Sequence, residues 1–177
     1  MRPLFRIATM LGCLVGPAAG AASLPVPEGG TLRAVPGAHE LPDPSLDYRI
    51  VVDMQTLAAQ PTGISPAVQK LAALVNTFAK AGVTPDHVHV VAVFRGTRVV
   101  LAANDAAYAA HTGGRANPNL PLLRQLAHAG VTLAICGQAA EAQHYDASMF
   151  MPETQMNLSG IVTFLNLQTR GYVRIEQ

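Results

Sequence analysis

Apolar residues along this chain change spacing several times, and each change marks a boundary between predicted elements. Ile50-Val51-Val52, flanked by Arg49 and Asp53, is a short apolar run that predicts a strand over Tyr48 to Met54. Leu71, Leu74, Val75 and Phe78 then recur at helical spacing. Ser65 supplies a cap for that helix, Pro66 fits its first turn and Gly82 ends it. A second strand is predicted over His87 to Phe94, closed by Arg95-Gly96, and Arg98 to Ala103 reads as a short third one. Ala106 to His111 forms a short helix before Thr112-Gly113-Gly114, and Leu122 to Ala129 forms another that Gly130 stops. The run Val131 to Ile135 is a further strand that breaks off at Cys136-Gly137-Gln138. A weak helix near Ala139 to His144, a firm one over Leu158 to Leu167 and a last strand over Tyr172 to Ile175 complete the pattern.

Strands alternating with helices predict a mostly parallel, five-stranded α/β sheet covered by helices, in one doubly wound domain over residues 46–177. The stretch before it, 22–45, is rich in proline and glycine and buries little apolar surface, so it reads as an extended leader. Within it, Leu32-Arg33-Ala34-Val35 is a candidate edge strand.

The first 21 residues have another pattern. Arg2 and Arg6 precede an apolar stretch from Ile7 to Val15, and Ala19-Gly20-Ala21 offers a small-x-small cleavage site, so residues 1–21 read as a cleaved signal peptide. The apolar stretch is too short to span a bilayer. The expected location is the periplasm or the exterior. Cleavage removes Cys13 and leaves Cys136 as the lone cysteine of an exported chain, where thiols are normally paired. Half the residues are hydrophobic and 13% are charged, which suits a real core. Without Arg2 and Arg6, ten basic residues face eleven acidic ones, and no basic patch points to nucleic acid.

Cys136 therefore carries the candidate chemistry. It lies where a buried strand ends and a helix begins, the edge at which open α/β sheets present reactive groups. Backbone N–H groups at a helix start stabilise a thiolate without a charged neighbour. Gly137 permits close approach of a backbone or substrate, and Gln138 can donate a hydrogen bond. A buried cysteine that merely fills space is the competing reading.

Several segments together resemble the DsrE/DsrF/TusD-like family: Asn104-Asp105-Ala106-Ala107-Tyr108, Asn117-Pro118-Asn119-Leu120, Leu126-Ala127-His128-Ala129-Gly130-Val131 leading into Ile135-Cys136-Gly137-Gln138, and Gln168-Thr169-Arg170-Gly171-Tyr172. The resemblance runs from about Leu46 to the C-terminus. It implies a flavodoxin-like three-layer sandwich, a homo-oligomer (trimer or hexamer), and Cys136 as a carrier that exchanges a persulfide sulfur with donor and acceptor proteins. Gly137, Gln138, Arg95 and Asn104 are the accompanying candidates for substrate binding. Members of the family often have His-Gly where this chain has Arg95-Gly96, so that histidine's role is not carried over. No cofactor is expected.

Other polar groups invite rival readings. His144, eight residues after Cys136, would stand about 12 Å away along a straight helix, too far for a direct ion pair. His87 and His89 share a strand face in metal-like geometry but lack a third ligand, so a surface pair is the expectation. His144 with Met149, Met151 and Met156 forms a soft set that could hold Cu(I), which would make the chain a non-enzymatic binding module for a soft metal or small ligand. Pro61 to Ser65 resembles a phosphate-cradling loop, but the chain has no Trp and few aromatics to hold a flavin. Asp53 ends its strand like a phosphoacceptor, yet has no acidic neighbour.

Overall fold

A computed structural model of the chain describes residues 24–30 and 32–177. The expected signal peptide lies outside them. Five parallel strands form one sheet in the order β4-β3-β2-β1-β5: β1 is Tyr48–Met54, β2 Val88–Phe94, β3 Thr132–Cys136, β4 Thr154–Asn157 and β5 Val173–Glu176. The helices are α1 Pro66–Lys80, α2 Asp105–Thr112, α3 Leu120–His128, α4 Gly137–Ala142 and α5 Gly160–Thr169. The sheet is parallel throughout, and the fold is flavodoxin-like.

Helix α1 starts as its sequence requires. Ser65 Oγ accepts a hydrogen bond from the Ala67 N–H, and Pro66 occupies the first turn, where its missing N–H costs nothing. Gly82 ends it at φ +84°, a conformation that disfavours any side chain, and the Val83 N–H then closes on the Phe78 carbonyl. Leu71, Val75 and Phe78 face inward. With Leu122, Leu123 and Leu126 of α3 they pack on Ile50, Val52, Ala92, Phe94, Leu133 and Ile135 of the sheet. Each fully buried leucine contributes roughly 2 kcal/mol of transfer free energy.

The opposite face of the sheet is covered differently. Val51, Val91, Val93 and Ala134 meet only Phe164 of α5, with Leu167 and Tyr172 at the margin. Leu158, just before α5, and Ile161, Val162 and Leu165 within it are left exposed, and α5 has no charged residue.

Three expectations fail. Arg98 to Ala103 is a 3-10 helix, Gly96–Ala102, that buries Val99, Leu101 and Ala102. An apolar run of this length does not distinguish a strand from a buried helical segment. The fifth strand is instead β4, Thr-Gln-Met-Asn, an edge strand whose polar composition carried no strand signal. His87 belongs to a 3-10 turn before β2, so it and His89 do not share a strand. Residues 32–35 form no strand, and Val35 is exposed, its course set by the prolines and glycines around it. The leader nevertheless has one anchor. Val26 is fully buried, and buried Asn76 of α1 both accepts from its N–H at 3.1 Å and donates to its carbonyl at 2.8 Å.

Among the described residues, no helix is long and apolar enough to cross a membrane.

Candidate active site at the C-terminal edge of the sheet

Because all five strands run the same way, their C-terminal ends gather along one edge. Phe94 pairs with Ile135 and Met54 with Phe94, so Asp53, Arg95 and Cys136 end up at neighbouring heights on three adjacent strands. Side chains alternate along a strand. Asp53 follows Val51 by two, Arg95 follows Val93, and Cys136 follows Ala134, which places all three on the face covered by α5.

Cys136 is the last residue of β3 and the N-cap of α4. It is buried, with 7% of its surface exposed, as the competing reading expects, but it belongs to neither apolar cluster. The expected stabilisation by helix N–H groups is weak here. Helix α4 has only six residues, the cysteine side chain makes no capping hydrogen bond, and the Gln138 N–H is taken by the Leu158 carbonyl at 3.1 Å. Gly137 has a packing reason: a Cβ there would lie 2.8 Å from the Asn157 carbonyl oxygen and 3.4 Å from that of Leu158. The close approach is therefore made by the chain's own backbone as it leaves β4. The Gln138 side chain is exposed at the rim.

Arg95, at the exit of β2, is tied to Asp53. Its Nε donates to both oxygens of Asp53, at 2.9 and 3.1 Å, and its Nη2 donates to Oδ2 at 2.8 Å. Arg174 Nη2 reaches the same Oδ2 at 2.5 Å and Glu176 at 3.1 Å. Phe164 lies against both guanidiniums, with its ring centre 4.3 Å from that of Arg174 and 6.0 Å from that of Arg95. Gly160, the first residue of α5, leaves room for the Arg95 stem, since a Cβ there would sit 3.2 Å from its Cδ. Burial is the largest influence on Asp53 and pushes its pKa up. Hydrogen bonds from Arg95, Arg174 and Gln55 together outweigh it and hold the carboxyl below its ordinary value. Those same bonds from Asp53 raise the Arg95 pKa, with smaller electrostatic contributions that include one from Cys136.

A groove of about 500 Å³ runs along this face between α5 and strands β3 and β4, from Thr132 and Gln155 to Asn157, Leu158 and Ser159. Asn157, the register partner of Cys136, closes its near end and donates to Thr163 Oγ1 at 3.0 Å.

The remaining candidates lie elsewhere or have other work. Asn104 caps α2: its Oδ1 accepts from the Ala107 N–H at 2.9 Å, and its Nδ2 donates to the Ser148 carbonyl at 2.9 Å. His144 is exposed beyond the end of α4 farthest from the cysteine, in a left-handed conformation at φ +60°. Met151 is buried in the main core and Met149 packs against it, whereas Met156 is exposed on β4. Among the described residues, no group of three or more His, Cys, Asp or Glu side chains is placed to hold a metal. His87 contacts the Leu46 carbonyl and His89 pairs with Asp47 at 2.8 Å, both at the opposite end of the sheet. In the loop before α1, the Gly63 N–H bonds to the Gln60 carbonyl and the Ser65 N–H to Asn119 Oδ1, so these two amides are engaged within the chain.

Local sequence pattern did not bring Asp53 and Arg174 to the sheet edge that Cys136 shares. Arg174 lies 121 positions from Asp53 and meets it only because β5 pairs with β1. The visible signal was an acidic residue ending an otherwise apolar strand, a position that requires a cationic partner once the strand is buried.

These features define an α/β protein with an all-parallel sheet and a cysteine at the sheet's C-terminal edge. The chain belongs to the DsrE/DsrF-like family, which it matches over residues 50–175. Among solved structures it is similar to MTH1491 from Methanobacterium thermoautotrophicum, a protein of unknown function, with a TM-score of 0.55 and 18% identity. That similarity covers 74% of this chain and 100% of the other, and it bears on the fold. No curated protein matches the chain.

Proposed function

We propose that this protein is an exported sulfur carrier in which Cys136 accepts a sulfane sulfur and passes it on. Family membership, which is associated with sulfur relay, supports the reading. The observation that carries it is the position of Cys136 at the sheet's C-terminal edge, outside both apolar clusters and beside Arg95. In the transfer, the Cys136 thiolate attacks the outer sulfur of a donor persulfide. The new S–S bond forms as the donor S–S bond breaks, and the donor leaves as a thiolate. No net oxidation occurs, and the reverse step delivers the sulfur to an acceptor thiol.

We also propose that copies of the chain associate through the outer side of α5, where Leu158, Ile161, Val162 and Leu165 form an uncharged apolar surface.

Intact mass spectrometry tests the carrier reading. Incubation with a persulfide donor is expected to add about 32 Da, one sulfur, to the wild type and nothing to Cys136→Ser. An unmodified wild-type protein overturns it. Secretion gives a separate check: the exported chain is expected to begin at Ala22, and a mass that retains residues 1–21 overturns the export proposal.

A further inference from the structure

We propose that Asp53 is a positioning residue for Cys136: it clamps Arg95 in one orientation beside the sulfur, so that the site favours a negatively charged reaction partner. This deepens the sulfur-carrier reading and rests on Cys136 being its reacting group.

Asp53 is an unusual residue to find at the end of this strand, with 0% of its side chain exposed. A buried carboxylate is expensive unless it is paired and its oxygens are hydrogen-bonded, and both conditions are met. The contact with Arg95 is a two-pronged fork, which sets the plane of the guanidinium as well as its distance. The stem is confined by Gly160 and the guanidinium lies near the Phe164 ring. The side chain is therefore held from three directions.

The fork occupies Nε and Nη2. Among the described residues, Nη1 has no hydrogen-bond partner, and the Arg95 side chain remains 37% exposed. Strand order places Asp53 on one side of Arg95 and Cys136 on the other. One buried carboxylate is shared by two guanidiniums, and the remaining acid, Glu176, is 64% exposed and screened by solvent. A small anion approaching Cys136 thus meets a fixed N–H donor that no described protein group occupies. Helix α4, with its Gln138 amide engaged by Leu158, offers no equivalent.

The test compares alkylation of Cys136 by iodoacetate and by iodoacetamide, which differ in charge. Both react with the same thiolate, so the ratio of their rates cancels the thiolate population and reports attraction of an anion. Wild type is expected to favour iodoacetate relative to an unstructured peptide. Arg95→Gln is expected to lower the ratio about tenfold, as loss of a close, partly shielded charge allows. Asp53→Asn removes a negative charge as well as the clamp, and the removal of that charge by itself raises the ratio in either background. The double variant is expected to lie above Arg95→Gln alone, and Asp53→Asn is expected to raise the ratio less when Arg95 is present than when it is absent, because Asp53 acts through Arg95. Arg174→Gln keeps the fork and is expected to keep the ratio.

An unchanged ratio in Arg95→Gln overturns the proposal even if the Asp53 variant does not fold. So does an additive double variant, or an equal fall in Arg174→Gln. Alkylation involves no sulfur transfer, so the two readings fail separately. Persulfide formation without any charge preference leaves the carrier standing and removes the clamp; charge preference without persulfide formation does the reverse.

Discussion

On one face of the sheet, α1 and α3 bury Leu71, Leu122, Leu123 and Leu126 against strand residues that are all apolar. On the other, α5 alone lies over Val51, Val93 and Ala134, and the same alternation ends in Asp53, Arg95 and Cys136. The first face supplies most of the apolar burial. The second has less to lose from polar groups, because its charges are paired at the rim and its groove opens toward solvent. Reactive groups thus sit where coverage is thin, on strands held in register by the face where it is dense.

Truncation on the dense face is the strongest way to break this contrast. Leu126→Ala removes a fully buried side chain and is expected to cost about 3 kcal/mol in urea unfolding, within the range for core leucines. On the other face, Asp53→Ala is expected to approach that cost, again about 3 kcal/mol, because it strands two guanidiniums against Phe164. Their partial exposure keeps the figure at the low end for broken buried pairs. A loss below about 1 kcal/mol would mean that solvent compensates the arginines.

Gly137→Ala sharpens the comparison at the boundary between β3 and α4. The added methyl meets the Asn157 carbonyl, and an intermediate loss of about 2 kcal/mol is expected, with β4 shifted away from Cys136. Hydrogen exchange of the β4 amides reads that displacement directly.

Acid provides a gentler probe. The Asp53 carboxyl titrates below its ordinary value in the folded chain, so its stabilisation is complete above the unfolded carboxylate range, about pH 4, and is lost as pH falls through the lower folded value. Unfolding measured across that window is expected to be steeper for wild type than for Asp53→Asn. Equal slopes would remove the pairing from the account of acid stability. The smallest stability effect is expected for Leu165→Ser on the outer side of α5, within about 0.5 kcal/mol for the separate chain. Analytical ultracentrifugation is the decisive measurement for this variant: weaker self-association supports the proposed interface, and an unchanged mass rejects it.

Much of the architecture could be read from local pattern. Strands β1, β2 and β3 announced themselves as apolar runs, and α1 carried its cap, its proline and its terminating glycine in plain view. Cys136 was found the same way, from an apolar run that stops at a glycine. Strand β4 escaped because an edge strand with polar side chains has no burial pattern to display. The 3-10 helix at Gly96–Ala102 was misread because burial favours the same residues in either conformation.

The amino-acid order alone thus determined the sheet's central strands, the helices that cover them and the position of the thiol, since each depends on neighbours a few residues apart. Which charges share the thiol's edge of the sheet was decided only by the tertiary structure. Asp53, Arg95 and Arg174 come from β1, the exit of β2 and β5, and they meet because parallel pairing aligns those strand ends along one edge. Reading it requires strand order and register, which are set by the packing of whole elements rather than by any local spacing.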